Sequence, residues 1–243
     1  MRPGDWSSDV CSSDLKNEKT VQETVTKSEA FFDKNKKAIA YGVIAILVII
    51  AGFFCYKEFV GNPREAKAST ALARGQEYFG MEQYDKALNG DGAGYAGFVK
   101  IASDYSSTDA GNLANLYAGL SYAFLGKNQE ALKYLNEYST SSDAMVSPAA
   151  VAARGNVYAK LGKLDEAVKD LKKAADMADS KAKNGKNMSL SPTFLLQAGI
   201  ILESQKKNDE AAEIYNNIKK NYVNCMLVQS QEIDKYIERA TLK

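Results

Sequence analysis

Between Ala38 and Tyr56 the chain runs nineteen residues without a charge, AIAYGVIAILVIIAGFFCY. As a helix this segment is about 28 Å long, close to the roughly 30 Å of a bilayer's hydrocarbon core. Ten of the nineteen are Ile, Val, Leu or Phe, which together favour insertion by about 3 to 6 kcal/mol. Tyr41 and Tyr56 lie near its ends, where aromatic rings prefer the interface. The pattern predicts a transmembrane helix over 38–56. A buried core helix is the plain alternative, but nothing else in the chain is apolar enough to surround it. A cleaved signal lacks its small-x-small site in CYKEFVGNP, and a lipoprotein reading of Cys55 meets Phe54 where a lipobox has a small residue.

After this segment the chain becomes self-similar, and the repeat is one of paired helices. With Ala131 in NQEALKYL as reference, Gly119 lies twelve residues earlier, Tyr122 nine earlier, Gly126 five earlier and Leu135 four later. Around Ala167 the same offsets give Gly155, Tyr158, Gly162 and Leu171. Around Ala211 they give Gly199, Leu202, Lys206 and Tyr215, and around Ala87 they give Gly75, Tyr78, Glu82 and Asp91. Each residue type has a mechanical reason. A Gly on the first helix and an Ala on the second permit a close crossing. A Gly between them suits the left-handed turn that ends the first helix. Acidic residues just before each reference Ala favour the start of the second helix. Ser147-Pro148 and Ser191-Pro192 are expected to place a capping Ser ahead of a first-turn Pro.

These residues resemble the tetratricopeptide repeat family, over about three quarters of the chain. The resemblance implies an all-α fold: a right-handed solenoid of about four helix pairs with a C-terminal capping helix, preceded by the one transmembrane helix. Ala131 and Ala167 are 36 residues apart, near the family's repeat length, whereas Ala87–Ala131 and Ala167–Ala211 are each 44. The extra residues fall in NGDGAGYAG (89–97) and SKAKNGKNMS (180–189). Lys206 and Glu82 stand in place of the turn Gly, and Asp91 in place of a packing residue. The first unit's second helix is therefore expected to break and resume around Tyr95 to Tyr105. A last helix over about 229–242 presents Ile233, Ile237 and Ala240 on one face, as a solenoid cap requires. The layout as a whole is similar to the ancillary subunit of the Sec translocon, by architecture rather than by diagnostic residues.

The N-terminal end changes the reading in two ways. Asp5 to Leu15, DWSSDVCSSDL, resembles the in-frame translation of a sequencing adapter. Residues 1–15 are read as an artefact, so Trp6 and Cys11 carry no function. The remaining domains are a cytoplasmic stub at 16–37, with Val21, Val25 and Phe32 roughly on one face, the span at 38–56, and a repeat domain at 57–243. Lys34, Lys36 and Lys37 precede the span and Lys57 alone closely follows it. That bias places the N-terminus in the cytoplasm and the repeats outside. The layout's resemblance to small membrane-anchored repeat proteins of bacteria implies an inner membrane with the repeats in the periplasm.

Composition narrows the chemistry. The chain of 243 residues has no histidine, three widely spaced cysteines and a formal net charge of +1. The commonest general base and metal ligand is missing, and nothing points to nucleic acid. Gly92-Ala93-Gly94-Tyr95-Ala96-Gly97 satisfies G-x-G-x-x-G literally but follows a helix rather than a strand. Asp85 and Asp91 do not reach the spacing of a calcium loop. No cofactor, metal, small-molecule substrate or enzymatic activity is implied. The resemblance implies instead a protein or peptide partner on the concave face lined by the first helix of each pair. By spacing that face comprises Gln76, Phe79, Leu116, Leu120, Phe124, Asn156, Lys160 and Ile200, with Leu116, Leu120 and Phe124 as an apolar stripe. The Lys and Asn pairs of chaperone-docking clamps are not reproduced by Asn156 and Lys160. Two functions follow: an envelope scaffold or adaptor, and a periplasmic holdase-like chaperone beside the export channel.

Overall fold

The computed structural model describes residues 34–242; the adapter-like stretch and the stub as far as residue 33, with Val21, Val25 and Phe32, lie outside them. Among the described residues every regular element is helical. They form two units, one ending at Gly61 and one beginning at Asn62. The first holds helix α1 over residues 34–56, closed by a π-helical turn at Lys57–Gly61. It is long and apolar enough to cross a membrane, with no part of its apolar window buried.

The second unit is a solenoid. Its helices are α2 (Asn62–Gly80), α3 (Tyr84–Asn89), α4 (Phe98–Asp104), α5 (Asp109–Phe124), α6 (Asn128–Glu137), α7 (Val146–Lys160), α8 (Leu164–Ser180), α9 (Leu190–Ser204), α10 (Asn208–Asn221), α11 (Met226–Gln229) and α12 (Glu232–Thr241). Helices α5/α6, α7/α8 and α9/α10 are antiparallel pairs, and α2 pairs with the broken helix α3/α4. Pair packs on pair in chain order, and α12 covers α10.

The four reference alanines, Ala87, Ala131, Ala167 and Ala211, are each 0% exposed. The glycines twelve residues before them come close to what they pack on. A Cβ on Gly155 would lie a tight 3.1 Å from Leu171, and at the other three it would come closer than real side chains do. A Cβ on Gly119 would lie 2.7 Å from Leu135, and one on Gly199 would lie 2.3 Å from the Tyr215 ring. The first unit solves the same contact differently. Where Leu135, Leu171 and Tyr215 stand in the later pairs, it has Asp91. Its Gly75 is instead met by Tyr95 and Phe98, beyond the break; a Cβ there would lie 2.2 Å from the Tyr95 hydroxyl and 2.3 Å from the Phe98 ring.

Asp91 shapes that break. Its Oδ1 accepts from the backbone N–H of Ala93 (2.8 Å) and Tyr95 (2.9 Å), and its Oδ2 accepts from the Tyr78 hydroxyl (2.8 Å) and Arg74 (3.3 Å). The Tyr95 hydroxyl then donates to the Ala87 carbonyl at 2.7 Å. Hydrogen bonds from the Tyr95 and Ala93 amides, then from Tyr78, hold the Asp91 carboxyl down at about 2, against an ordinary 3.8.

The inter-helix turns keep one backbone shape despite different residues. Gly126 and Gly162 have φ of 74° and 76°, and Glu82 and Lys206 at the equivalent positions have φ of 58° and 61°. The left-handed turn is thus enforced by the helices on either side, at a cost of roughly 1–2 kcal/mol wherever the residue carries a Cβ.

The capping expectation at the two Ser-Pro steps needs correction. Ser147 and Ser191 are the second residues of α7 and α9, not the caps. The free amides are met by residues four positions earlier. Asp143 Oδ1 accepts from Met145, Val146 and Ser147 N–H, and Asn187 Oδ1 accepts from Ser189 and Leu190 N–H. The two serines face inward, 0% exposed. Ser191 Oγ donates to the Ala175 carbonyl and to Asp179, and Ser147 Oγ donates to Asp143. Burial pushes the Asp143 carboxyl up, but hydrogen bonds from Ser147, Ser141 and the Met145 amide outweigh it, and the net shift is downward. The final helix also begins later than residue 229: a left-handed Gln231 (φ 59°) separates α11 from α12. Ile233 and Ala240 of α12 are buried, as its pattern requires, and Arg239 Nε donates to Glu203 of α9 at 3.1 Å.

Two outcomes are expected. Gly199→Ala destabilises the chain by about 1–3 kcal/mol through overpacking against Tyr215, whereas Lys206→Gly, which relieves a left-handed residue, stabilises it by roughly 0.5–1 kcal/mol; denaturant midpoints measure both. The second concerns Asp91. Its folded carboxyl is depressed, so its contribution is fully present above the unfolded value of 3.8 and is lost as pH falls toward about 2. Asp91→Asn should therefore lower the midpoint at neutral pH, and the gap to the unmodified chain should close across that window. A gap unchanged with pH would show that the carboxylate charge is not what holds the loop.

Candidate protein-interaction surface

The first helices of the pairs, α2, α5, α7 and α9, run in the same direction. Glu65 at the start of α2 accepts from the backbone N–H of Asp109 (2.8 Å) and Ala110 (3.0 Å) at the start of α5. Positions eleven and seven before each reference Ala then fall in two ladders along the open side. The first is Gln76, Leu120, Asn156 and Ile200; the second is Gly80, Phe124, Lys160 and Ser204. Asn156, Ile200 and the whole second ladder are exposed, and Gln76 and Leu120 are partly so. Lys160 is the one charge among these eight residues.

Leu116 does not belong to this surface. It is 6% exposed, in a core shared with Ala131, Leu132, Leu135, Ala150 and Val157. The stripe at i, i+4 and i+8 fails because eight residues turn a helix about 80° past two full turns. Burial falls along it accordingly: Leu116 is in the core, Leu120 is half-buried, and Phe124 is 61% exposed.

Phe124 is the centre of an aromatic cluster. The Tyr84 ring stacks on it at 4.9 Å with planes 9° apart. Phe79 meets it edge-on at 5.9 Å and also meets Tyr84 at 5.5 Å and Tyr117 at 5.3 Å. The cluster joins the end of α2, the start of α3 and the end of α5. Met81, 63% exposed, lies in the turn between α2 and α3. The Lys160 ammonium approaches the Ala123 carbonyl at 3.5 Å, placing one cation next to the cluster. Of the expected surface residues, the structure brings Phe79, Phe124 and Lys160 together. Ile200 stands apart on α9, and Gln76 and Asn156 sit on the faces between. Tyr84, Tyr117 and Met81 were not expected at the site. The signal for Tyr84 was an aromatic at the offset where the other units carry Asn128, Leu164 and Asn208.

Such a surface is suited to binding. Among the described residues no three His, Cys, Asp or Glu side chains are grouped to hold a metal ion. Exposed aromatic faces beside uncharged helix faces suit apolar side chains of another protein, since aromatic rings bury large areas at little conformational cost.

Comparison with known proteins agrees with this geometry. A tetratricopeptide repeat family model matches residues 149–181, helix pair α7/α8, and a second tetratricopeptide repeat model matches residues 194–224, within α9 and α10. No curated protein matches the chain. Among solved structures, the fold is similar to that of a Podospora anserina protein described as a kinesin light chain with nearly identical TPR-like repeats. The two share 12% identity with a TM-score of 0.52, over 72% of this chain and 93% of that one. At that identity the likeness shows the fold alone: an all-helical tetratricopeptide-type solenoid.

Proposed function

We propose that the chain is a membrane-anchored adaptor of the bacterial cell envelope, holding a protein partner on the open face of its repeats. Tetratricopeptide repeats are interaction scaffolds, typically without catalytic activity, and no enzymatic step, cofactor, nucleic acid or small-molecule substrate enters this reading. The carrying observation is the cluster of exposed Phe124 with the partly exposed rings of Tyr84 and Phe79, beside faces of α5 and α7 whose one charge is Lys160. Residues 38–56 are the anchor. Lys34, Lys36 and Lys37 before it, against Lys57 after it, support a cytoplasmic N-terminus, with the repeats of 57–243 in the periplasm. The binding face is assigned to Gln76, Phe79, Leu120, Phe124, Asn156, Lys160 and Ile200, with Tyr84 added and Leu116 removed.

In-cell photo-crosslinking from a benzophenone residue at position 124 tests the reading. A single dominant adduct, lost when Tyr84→Ala is added, is expected of an adaptor. A smear of many exported proteins would replace the adaptor with a holdase-like chaperone working beside the export channel. Protease added to intact spheroplasts should digest the repeats; full protection would overturn the periplasmic assignment.

A further inference from the structure

The edge of the solenoid at which the first helices begin differs from the rest in charge and in exposed apolar groups. The hydrogen bonds of Glu65 to Asp109 and Ala110, of Asn112 to Ser139, and of Asp179 to Ser191 and Tyr222 run along it. Toward α2 carboxylates predominate: Glu65, Asp104, Asp109, Glu137 and Asp143 against Arg64 and Lys100. Its last two loops are different. Residues 180–190 and 216–231 contain five lysines and no Asp or Glu. Lys186 is paired with Asp179 and Lys219 with Asp234, both at 2.8 Å. Lys181, Lys183 and Lys220 are exposed and make no ion pair among the described residues.

Between these two loops lies an open cleft of about 420 Å³, lined by Met188, Pro192, Thr193, Cys225, Met226 and Leu227 among others. Met226 is 79% exposed at its rim and neighbouring Val223 is 49% exposed. Lysines around protruding apolar side chains match the chemistry of an anionic bilayer surface: ammonium groups meet phosphates while Met and Val enter the headgroup layer. The covalent chain favours the same occupant. Asn62 begins α2 at this edge, and only the five residues Lys57–Gly61 separate it from the uncharged segment ending at Tyr56. Five residues span at most about 18 Å. A tether that short raises the effective concentration of the edge at the surface, so weak contacts suffice.

We infer that the edge formed by the 180–190 and 216–231 loops rests on an anionic lipid surface, with Lys181, Lys183 and Lys220 on headgroup phosphates and Met226 and Val223 between them. The inference rests on the anchored reading of residues 38–56.

The chain has a single Trp, Trp6, so Met226→Trp in a Trp6→Phe background reports one site. The full chain is reconstituted in nanodiscs of phosphatidylcholine alone and of equal phosphatidylglycerol and phosphatidylcholine, with brominated acyl chains as quencher. Quenching at position 226 is expected in the mixed nanodiscs. It should fall in phosphatidylcholine, and fall again with Lys181→Gln, Lys183→Gln and Lys220→Gln by roughly fivefold in surface affinity per lysine. A Trp at position 124, at the opposite ends of the helices, should stay unquenched. No quenching at 226 in mixed nanodiscs that carry the chain overturns the inference and leaves the anchor standing. So does quenching indifferent to lipid charge and to the three lysines. Failure of the chain to co-elute with nanodiscs removes the anchored reading, and the inference with it.

Discussion

The constraint on which the solenoid depends is the distance between the two helices of each pair. At Gly75, Gly119, Gly155 and Gly199 the first helix presents no side chain, and opposite it the reference alanines are completely buried. This close crossing leaves room for only one large residue per pair: Leu135, Leu171 or Tyr215. It sets how the next pair stacks and brings the first helices into a common direction. A side chain added at Gly75, Gly119 or Gly155 would act on the next pair as well, because neighbouring units share their core. Leu116 of α5 illustrates the sharing: it packs with Ala150 and Val157 of α7 as well as with its own partner helix.

The first unit shows what happens when one part of that contact is exchanged. Asp91 cannot fill the apolar space that Leu135 or Tyr215 fills, so the helix stops at Asn89 and the chain loops out. The same Asp91 then gathers the amides of Ala93 and Tyr95 and the hydroxyl of Tyr78, and the loop returns Tyr95 and Phe98 to the vacant position against Gly75. The Gly-rich insertion is thus a structural splice. Its literal G-x-G-x-x-G arises from the turn conformations of Gly92, Gly94 and Gly97, all at positive φ. The insertion before α9 has a parallel logic, with Asp179 receiving Lys186, the Asn187 amide, Ser191 and the buried Tyr222 hydroxyl. Burial, then the hydrogen bond to Asp179, pushes that phenol up to about 12.

What was legible in the sequence follows from this. Residues whose job is fixed by distance along the chain, such as Gly119 before Ala131 or Gly162 before Ala167, announce themselves by offset. Glu82 and Lys206 lack the glycine signature, yet the helices on both sides hold them in the same left-handed turn. Residues whose job is fixed by a partner far along the chain do not announce themselves. Ser147 and Ser191 carry a familiar capping signature, but the inward packing of the Ser-Pro turn leaves the amides to Asp143 and Asn187. The inward rotation of Leu116 depends on α7 arriving beside it. Of the aromatic cluster, Phe79 and Phe124 were named from spacing, whereas Tyr84 was not, because its neighbour Phe124 is forty residues away.

The surface that results separates two kinds of contact. Along the open face, side chains seven and eleven residues before each reference Ala are almost free of charge, and the one aromatic cluster sits where the first two pairs meet. Along the edge where the first helices begin, charge is organised by loop: mostly acidic toward α2, and basic without Asp or Glu in residues 180–190 and 216–231. A long apolar helix upstream of Asn62 gives this asymmetry a physical direction. On the anchored reading proposed above, an edge resting on a bilayer would meet a low-dielectric, anionic boundary, where lysines without partners are stabilised and carboxylates are not. A face meant for a protein has the opposite requirement, since every charge buried there without a partner must be desolvated. The same solenoid meets both because its face is built from helix sides and its edge from loops. The two insertions that lengthen the repeats differ accordingly: NGDGAGYAG repairs a packing contact, while SKAKNGKNMS places lysines at the edge.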